Sequence, residues 1–148
     1  MDTQAQKTDK TLDQLNHFLR GELSAVETYK QAIGKLTNYA HLQKLEQCLL
    51  SHEERVSELR RKVQQLGGNP EEGSGLWGAF AMLVEGSAKL LGETAAINAL
   101  ESGEDHGLAD YRDFKDADPA VRQLLQSQLL PAQMETHAAM SRLKKELN

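Results

Sequence analysis

Two apolar stripes limit what this chain can fold into, and each is broken once by a titratable residue. The first runs Leu12, Leu15, Leu19, Glu22, Val26, Tyr29, Ile33, Leu36 and the second runs Leu42, Leu45, Leu49, His52, Val56, Leu59, Val63, Leu66. Steps of three and four place every member of a stripe on one helix face, so two long amphipathic helices are expected. The same spacing sends a carboxylate and an imidazole into the interior of a bundle. An ionised carboxylate buried without partners costs several kcal/mol, against a domain stability of roughly 5–15 kcal/mol. Some partner must therefore compensate Glu22 and His52.

Sparse aromatics and the absence of alternating β-branched runs leave little room for a sheet, and the predicted fold is all-α. The first helix is expected from about Thr11, where a capping box with Gln14 is available, to Leu36. Residues 1–10 then form a flexible N-terminus before a single domain over residues 11–148. Asn38 caps a second helix that stops at Gly67-Gly68-Asn69-Pro70. A glycine-punctuated crossover over about residues 67–92 carries a short extra helix and an apolar run with Trp77 and Phe80. A third helix spans about Glu93 to Lys115. Asp118 caps a fourth, with Pro119 at its first position and Pro131 predicting a kink inside it.

The anomaly recurs in the third helix, where Glu104 interrupts Ile97, Leu100, Gly107, Tyr111 and Phe114. Glu22 precedes Tyr29 by seven residues, and Glu104 precedes Tyr111 by seven. That repetition is what a duplicated helix pair would leave. In the fourth helix His137 lies between Met134 and Met140. Measured from a turn near Thr37, Glu22 and His52 are each fifteen residues away and should face one another in an antiparallel pair. The same reasoning leaves roughly 10 Å between Glu104 and His137 and makes Glu101 the nearer partner. The candidate metal ligands are thus Glu22, His52, Glu101, Glu104 and His137, with Tyr29 and Tyr111 behind them. His17 and His41 read as surface residues, His106 as outward-facing, Glu27 as off the stripe, and Cys48 as a small packing residue.

Several of these residues resemble a known family. Glu22-Leu23-Ser24-Ala25 with Tyr29 is similar to the first-helix motif of bacterioferritin-type di-iron proteins, and His52-Glu53-Glu54-Arg55 to the stretch at their second-helix histidine. Glu101, Glu104 and Tyr111 resemble the rubrerythrin arrangement. Across nearly the whole chain, Gly21-Glu22-Leu23, Leu66-Gly67-Gly68-Asn69-Pro70, Gly103-Glu104-Asp105 and Tyr111 resemble bacterial ferritin-like four-helix-bundle proteins containing a domain of unknown function. The resemblance implies a ferritin-like antiparallel bundle: two helices, a long crossover with a short helix, then two more.

The departure from the di-iron pattern matters as much. That site takes a Glu-x-x-His motif from each of two helices, yet Leu49 and Met134 stand three before the two histidines. A working di-iron oxidase is not expected. Two readings stay open. In one, the Glu and His residues hold a single iron, zinc or manganese ion. In the other no metal binds, and a non-catalytic helical interaction or stress-related module uses the same groups as a structural polar layer.

A net charge of -5 argues against nucleic acid, and no apolar run of about 18 residues or charged-then-apolar leader points to a membrane or export. The expected location is the cytoplasm; the crossover's apolar run either covers one end or side of the bundle or, as the alternative, docks a second copy of the chain through Trp77 and Phe80.

Overall fold

A computed structural model describes residues 3–73 and 92–147 of the protein. Among the described residues there are helices and no strands. Helix α1 spans Gln4–Ile33, α2 Tyr39–Gln65 and α3 Glu93–Arg112. The fourth rod is α4 (Pro119–Leu124), a π-helical turn (Leu125–Leu129) and α5 (Leu130–Leu147). The all-α bundle read from the periodicity is therefore what the chain forms. The crossover's short helix and the Trp77–Phe80 contact fall in residues 74–91, outside the described residues.

Helix starts follow their caps. Thr3, not Thr11, begins α1: its hydroxyl accepts from the Gln6 N–H at 3.1 Å while the Gln6 side chain accepts from the Thr3 N–H at 2.7 Å. Two capping boxes compete in the sequence, and the outer one wins because residues 4–10 can extend the helix. Thr11 lies inside it, with its hydroxyl on the Lys7 carbonyl. Asn38 caps α2 as expected, accepting from the His41 N–H at 3.1 Å. Gly67, at φ 80°, ends α2 in the left-handed conformation that suits glycine. Asp118 caps α4 ahead of Pro119.

α1 packs most extensively on α2, and α3 on α5, with fewer contacts between the pairs. The apolar core is divided in two. One part gathers Leu15, Phe18, Leu19, Leu59, Val63 and the residues around the π turn. The other gathers Tyr29, Leu45, Cys48, Ile97, Leu100, Met140 and Leu143. Between them, from all four rods, come the buried polar residues Glu22, His52, Arg55, Glu104, Gln133 and Thr136.

The irregularity expected at Pro131 takes the form of the π turn just before it, where the Leu130 N–H reaches back to the Leu125 carbonyl. A proline cannot donate to the carbonyl four residues earlier, and an i→i−5 turn absorbs that defect. The turn also sets the phase of α5. Gln133, Thr136, Met140 and Leu143 are buried, whereas Met134 is 52 % exposed. The stripe expected through Met134 and His137 is thus displaced by one residue.

Candidate functional site

His52 stands at the centre of the buried layer, bonded by both ring nitrogens. Nδ1 lies 2.7 Å from Glu22 Oε2, and Nε2 lies 2.7 Å from Glu104 Oε1. The imidazole bridges α1 to α3. Glu22 and His52 face one another, as their equal distance from the first turn implied. Each tyrosine then donates to the glutamate of the other helix: Tyr29 to Glu104 Oε1 at 2.8 Å, and Tyr111 to Glu22 Oε1 at 2.6 Å. The seven-residue spacing in both helices produces this exchange because α1 and α3 run antiparallel, so Glu22 is level with Tyr111 and Tyr29 with Glu104.

Arg55 completes the charges. One guanidinium nitrogen reaches Glu22 Oε1 at 3.2 Å and donates to Gln133 Oε1; the other donates to Ser51 Oγ and Thr136 Oγ1, both at 3.1 Å. Gln133 and Thr136 in turn donate to Glu104 Oε2 at 2.8 Å each, and the Gln133 amide also reaches the Glu104 carbonyl at 3.0 Å. The buried side-chain polar atoms left without a partner among the described residues belong to Gln31, His41 and Asn98, none of them in this layer.

The titration of the layer follows from these contacts. Burial alone would raise the Glu22 pKa, but the nearby charges of Arg55 and His52 outweigh it and hold the carboxyl below its ordinary range. Burial acts on Glu104 in the same direction, and His52, Thr136 and Tyr29 overcome it. For His52 burial lowers the pKa, yet two flanking carboxylates raise it above the ordinary imidazole value. Two carboxylates, one imidazolium and one guanidinium sum to zero, which is how a dry core can hold four ionised groups. Burial and the neighbouring carboxylates push both tyrosines well above the ordinary phenol range, so they remain donors. Cys48, raised to about 11 mainly by burial, stays a thiol and packs as expected.

Of the five candidate ligands, the structure brings Glu22, His52 and Glu104 into the layer. Glu101 and His137 meet elsewhere. His137 Nε2 bonds Asp105 Oδ1 on the outer side of the α3–α5 pair, and the ligand atoms of Glu101, Asp105 and His137 all lie within 4.8 Å of one another. A Glu/Asp/His group able to hold a metal ion therefore exists, but at the periphery. Among the other histidines, His17 pairs with Asp110 at 3.0 Å, and His41 is mostly buried, 3.6 Å from Glu93. His106 and Glu27 face outward as read.

Sequence reasoning missed Arg55, Gln133 and Thr136. Arg55 carried a usable signal, since Cys48, His52, Arg55 and Leu59 continue the three-and-four spacing and are all buried. Gln133 and Thr136 depend on the phase of the π turn and had none. One cavity beside the layer measures about 50 Å³ and is lined by Phe18, Gly21, Glu22, Tyr29, Glu104 and Gly107; another, of about 280 Å³, opens at Arg55 between Ser51, Glu58, Gln128 and Leu129. Small-molecule sites usually occupy about 300–1,000 Å³, so the first of these has room for a few waters only.

Gly107 is where α3 approaches Gln133. A Cβ there would stand 2.7 Å from the Gln133 amide nitrogen. Alanine gains about 1 kcal/mol of helix propensity, but overpacking costs about 1–3 kcal/mol and displaces bonds to charged groups worth about 1.5–3 kcal/mol. Gly107→Ala is accordingly expected to lose about 1.5–5 kcal/mol in urea denaturation. A gain would show that Gln133 is loosely held.

Fold and layer together define a class: an all-α helical bundle with a buried, charge-balanced ionic layer across its middle. The family model described as "Domain of unknown function (DUF2383)" matches residues 10–117, and the chain belongs to that family. The matched span contains Glu22, Tyr29, His52, Arg55, Glu104 and Tyr111; Gln133, Thr136 and His137 lie beyond it. No curated protein and no solved structure matches the chain. No helix among the described residues is long and apolar enough to cross a membrane.

Proposed function

We propose that the protein is a non-catalytic helical module of ferritin-like descent whose central layer is a metal-free ionic lock that aligns the helices. A di-metal carboxylate bundle takes a glutamate from each of two helices and a Glu-x-x-His pair from each of the other two. The glutamates here are Glu22 and Glu104, and the i, i+3 pairs reaching them are His52 with Arg55 and Gln133 with Thr136. An imidazolium and a guanidinium supply the positive charge that metal ions would otherwise bring.

One observation carries this reading: both nitrogens of His52 already hold carboxylates at 2.7 Å. An imidazole ligates a metal through a neutral nitrogen's lone pair, and here neither nitrogen offers one. The Arg55 guanidinium, 3.2 Å from Glu22, further opposes a cation. The layer's residues do not fit a metal ion. A buried polar layer of this kind favours one helix alignment, because sliding a helix by a turn parts its polar groups from their partners inside an apolar core.

An anaerobic ferrous titration of the purified full chain tests the reading. The expected result is no stoichiometric ferrous binding that depends on Glu22 or His52. Binding of one or two equivalents that disappears in His52→Gln, with the helical circular dichroism retained, would overturn it.

A further inference from the structure

We infer that Glu101, Asp105 and His137 form a zinc-class divalent cation site on the outer side of the α3–α5 pair, separate from the ionic layer and independent of its proposed role. Glu101 and Asp105 are i, i+4 neighbours on one face of α3, and His137 reaches them from α5, so two packed helices hold the three side chains. Their ligand atoms lie within 4.8 Å of one another. Zinc bonds imidazole nitrogen and carboxylate oxygen at about 2.0–2.2 Å, which puts tetrahedral ligand atoms about 3.4 Å apart. Small side-chain rotations close that difference.

The donor set selects the ion. One imidazole with two carboxylates suits zinc better than magnesium or calcium, which prefer oxygen alone. Three protein ligands leave a fourth position for water. The site also has a gradient of access: the Glu101 side chain is 12 % exposed, that of His137 25 % and that of Asp105 58 %. The ion would enter from the Asp105 side and meet Glu101 at the bottom. Lys144 Nζ stands 3.3 Å from Glu101 Oε2, where it provides the countercharge that zinc would replace.

Lys144 supplies a test in which a variant should improve binding. The chelator-stripped full chain is titrated with zinc chloride by calorimetry, alongside Asp105→Asn, His137→Ala and Lys144→Met. One zinc per chain is expected, weakened at least ten-fold in Asp105→Asn and in His137→Ala. It should tighten about two- to five-fold in Lys144→Met, the range of an exposed ion pair. Magnesium and calcium should bind at least ten-fold more weakly than zinc. Zinc binding equal to the parent's in both ligand variants, no binding at 100 µM zinc, or binding lost in His52→Gln but kept in His137→Ala would each overturn the assignment. Loss of binding in all variants together, Lys144→Met included, would overturn it too.

Discussion

Arg55→Met should lower stability by about 3–5 kcal/mol, because it leaves Glu22 and Glu104 with a single imidazolium between them in an interior where Arg55 itself is only 4 % exposed to solvent. For a chain of this length that corresponds to a fall of roughly 10 °C or more in melting temperature. The same physics predicts the opposite result for complete replacement. Glu22→Met, Glu104→Met, His52→Leu, Arg55→Met, Gln133→Met, Thr136→Val, Tyr29→Phe and Tyr111→Phe combined remove the charges and the groups that donate to them at similar volume. That variant should match or exceed the parent's stability, since a buried ion-pair cluster seldom outdoes well-packed apolar residues. What it should lose is uniqueness: broader amide resonances, or more than one oligomeric state, would show helices no longer held to one alignment. Urea melts of both variants decide the matter. An Arg55→Met protein within 1 kcal/mol of the parent would mean that the guanidinium does not balance these carboxylates.

Stability should also fall on both sides of a window from about pH 4.5 to pH 6.5, the ordinary carboxyl and imidazole values. Glu22 and Glu104 titrate lower in the fold than in the unfolded chain. Their contribution is therefore present above the unfolded value and lost as pH falls below it, at up to about 1.4 kcal/mol per pH unit for each carboxyl. His52 titrates higher in the fold, so its contribution is full below pH 6.5 and is lost as pH rises through the folded value. The neutral phenols Tyr29 and Tyr111 add a further loss above pH 10, where the unfolded tyrosines ionise first. Equilibrium unfolding measured from pH 3 to pH 10 gives the profile, and His52→Gln isolates the imidazole. The alkaline slope just above pH 6.5 should flatten in that variant by up to about 1.4 kcal/mol per pH unit. An identical slope in parent and variant would place the proton elsewhere.

Much of this was legible in the residues because helix periodicity is a local property. The stripes through Leu15, Leu19, Glu22 and Tyr29, and through Leu45, His52, Val56 and Leu59, needed only their own spacing to be placed on buried faces. A short connection made α1 and α2 antiparallel, and equal distances from it brought Glu22 to His52. The fourth rod resisted the same treatment. Thr136 lies four residues before Met140 and His137 three before it, and both steps suit one helix face. Only the π turn between Leu125 and Leu129 chooses, and it puts Gln133 and Thr136 inside with His137 at the edge.

The sequence by itself determined the all-α class, most helix limits, and the burial of Glu22, His52, Glu104, Tyr29 and Tyr111, because caps and period act over a few residues. The tertiary structure decided what those buried groups become. It set Arg55 beside Glu22, crossed the two tyrosines onto opposite glutamates, and sent Glu101 and His137 outward to Asp105. Those outcomes turn on the relative height and rotation of separate helices. A shift of one residue rotates a side chain by about a hundred degrees, enough to move it from a charge-balanced core to a surface that can take up a metal ion.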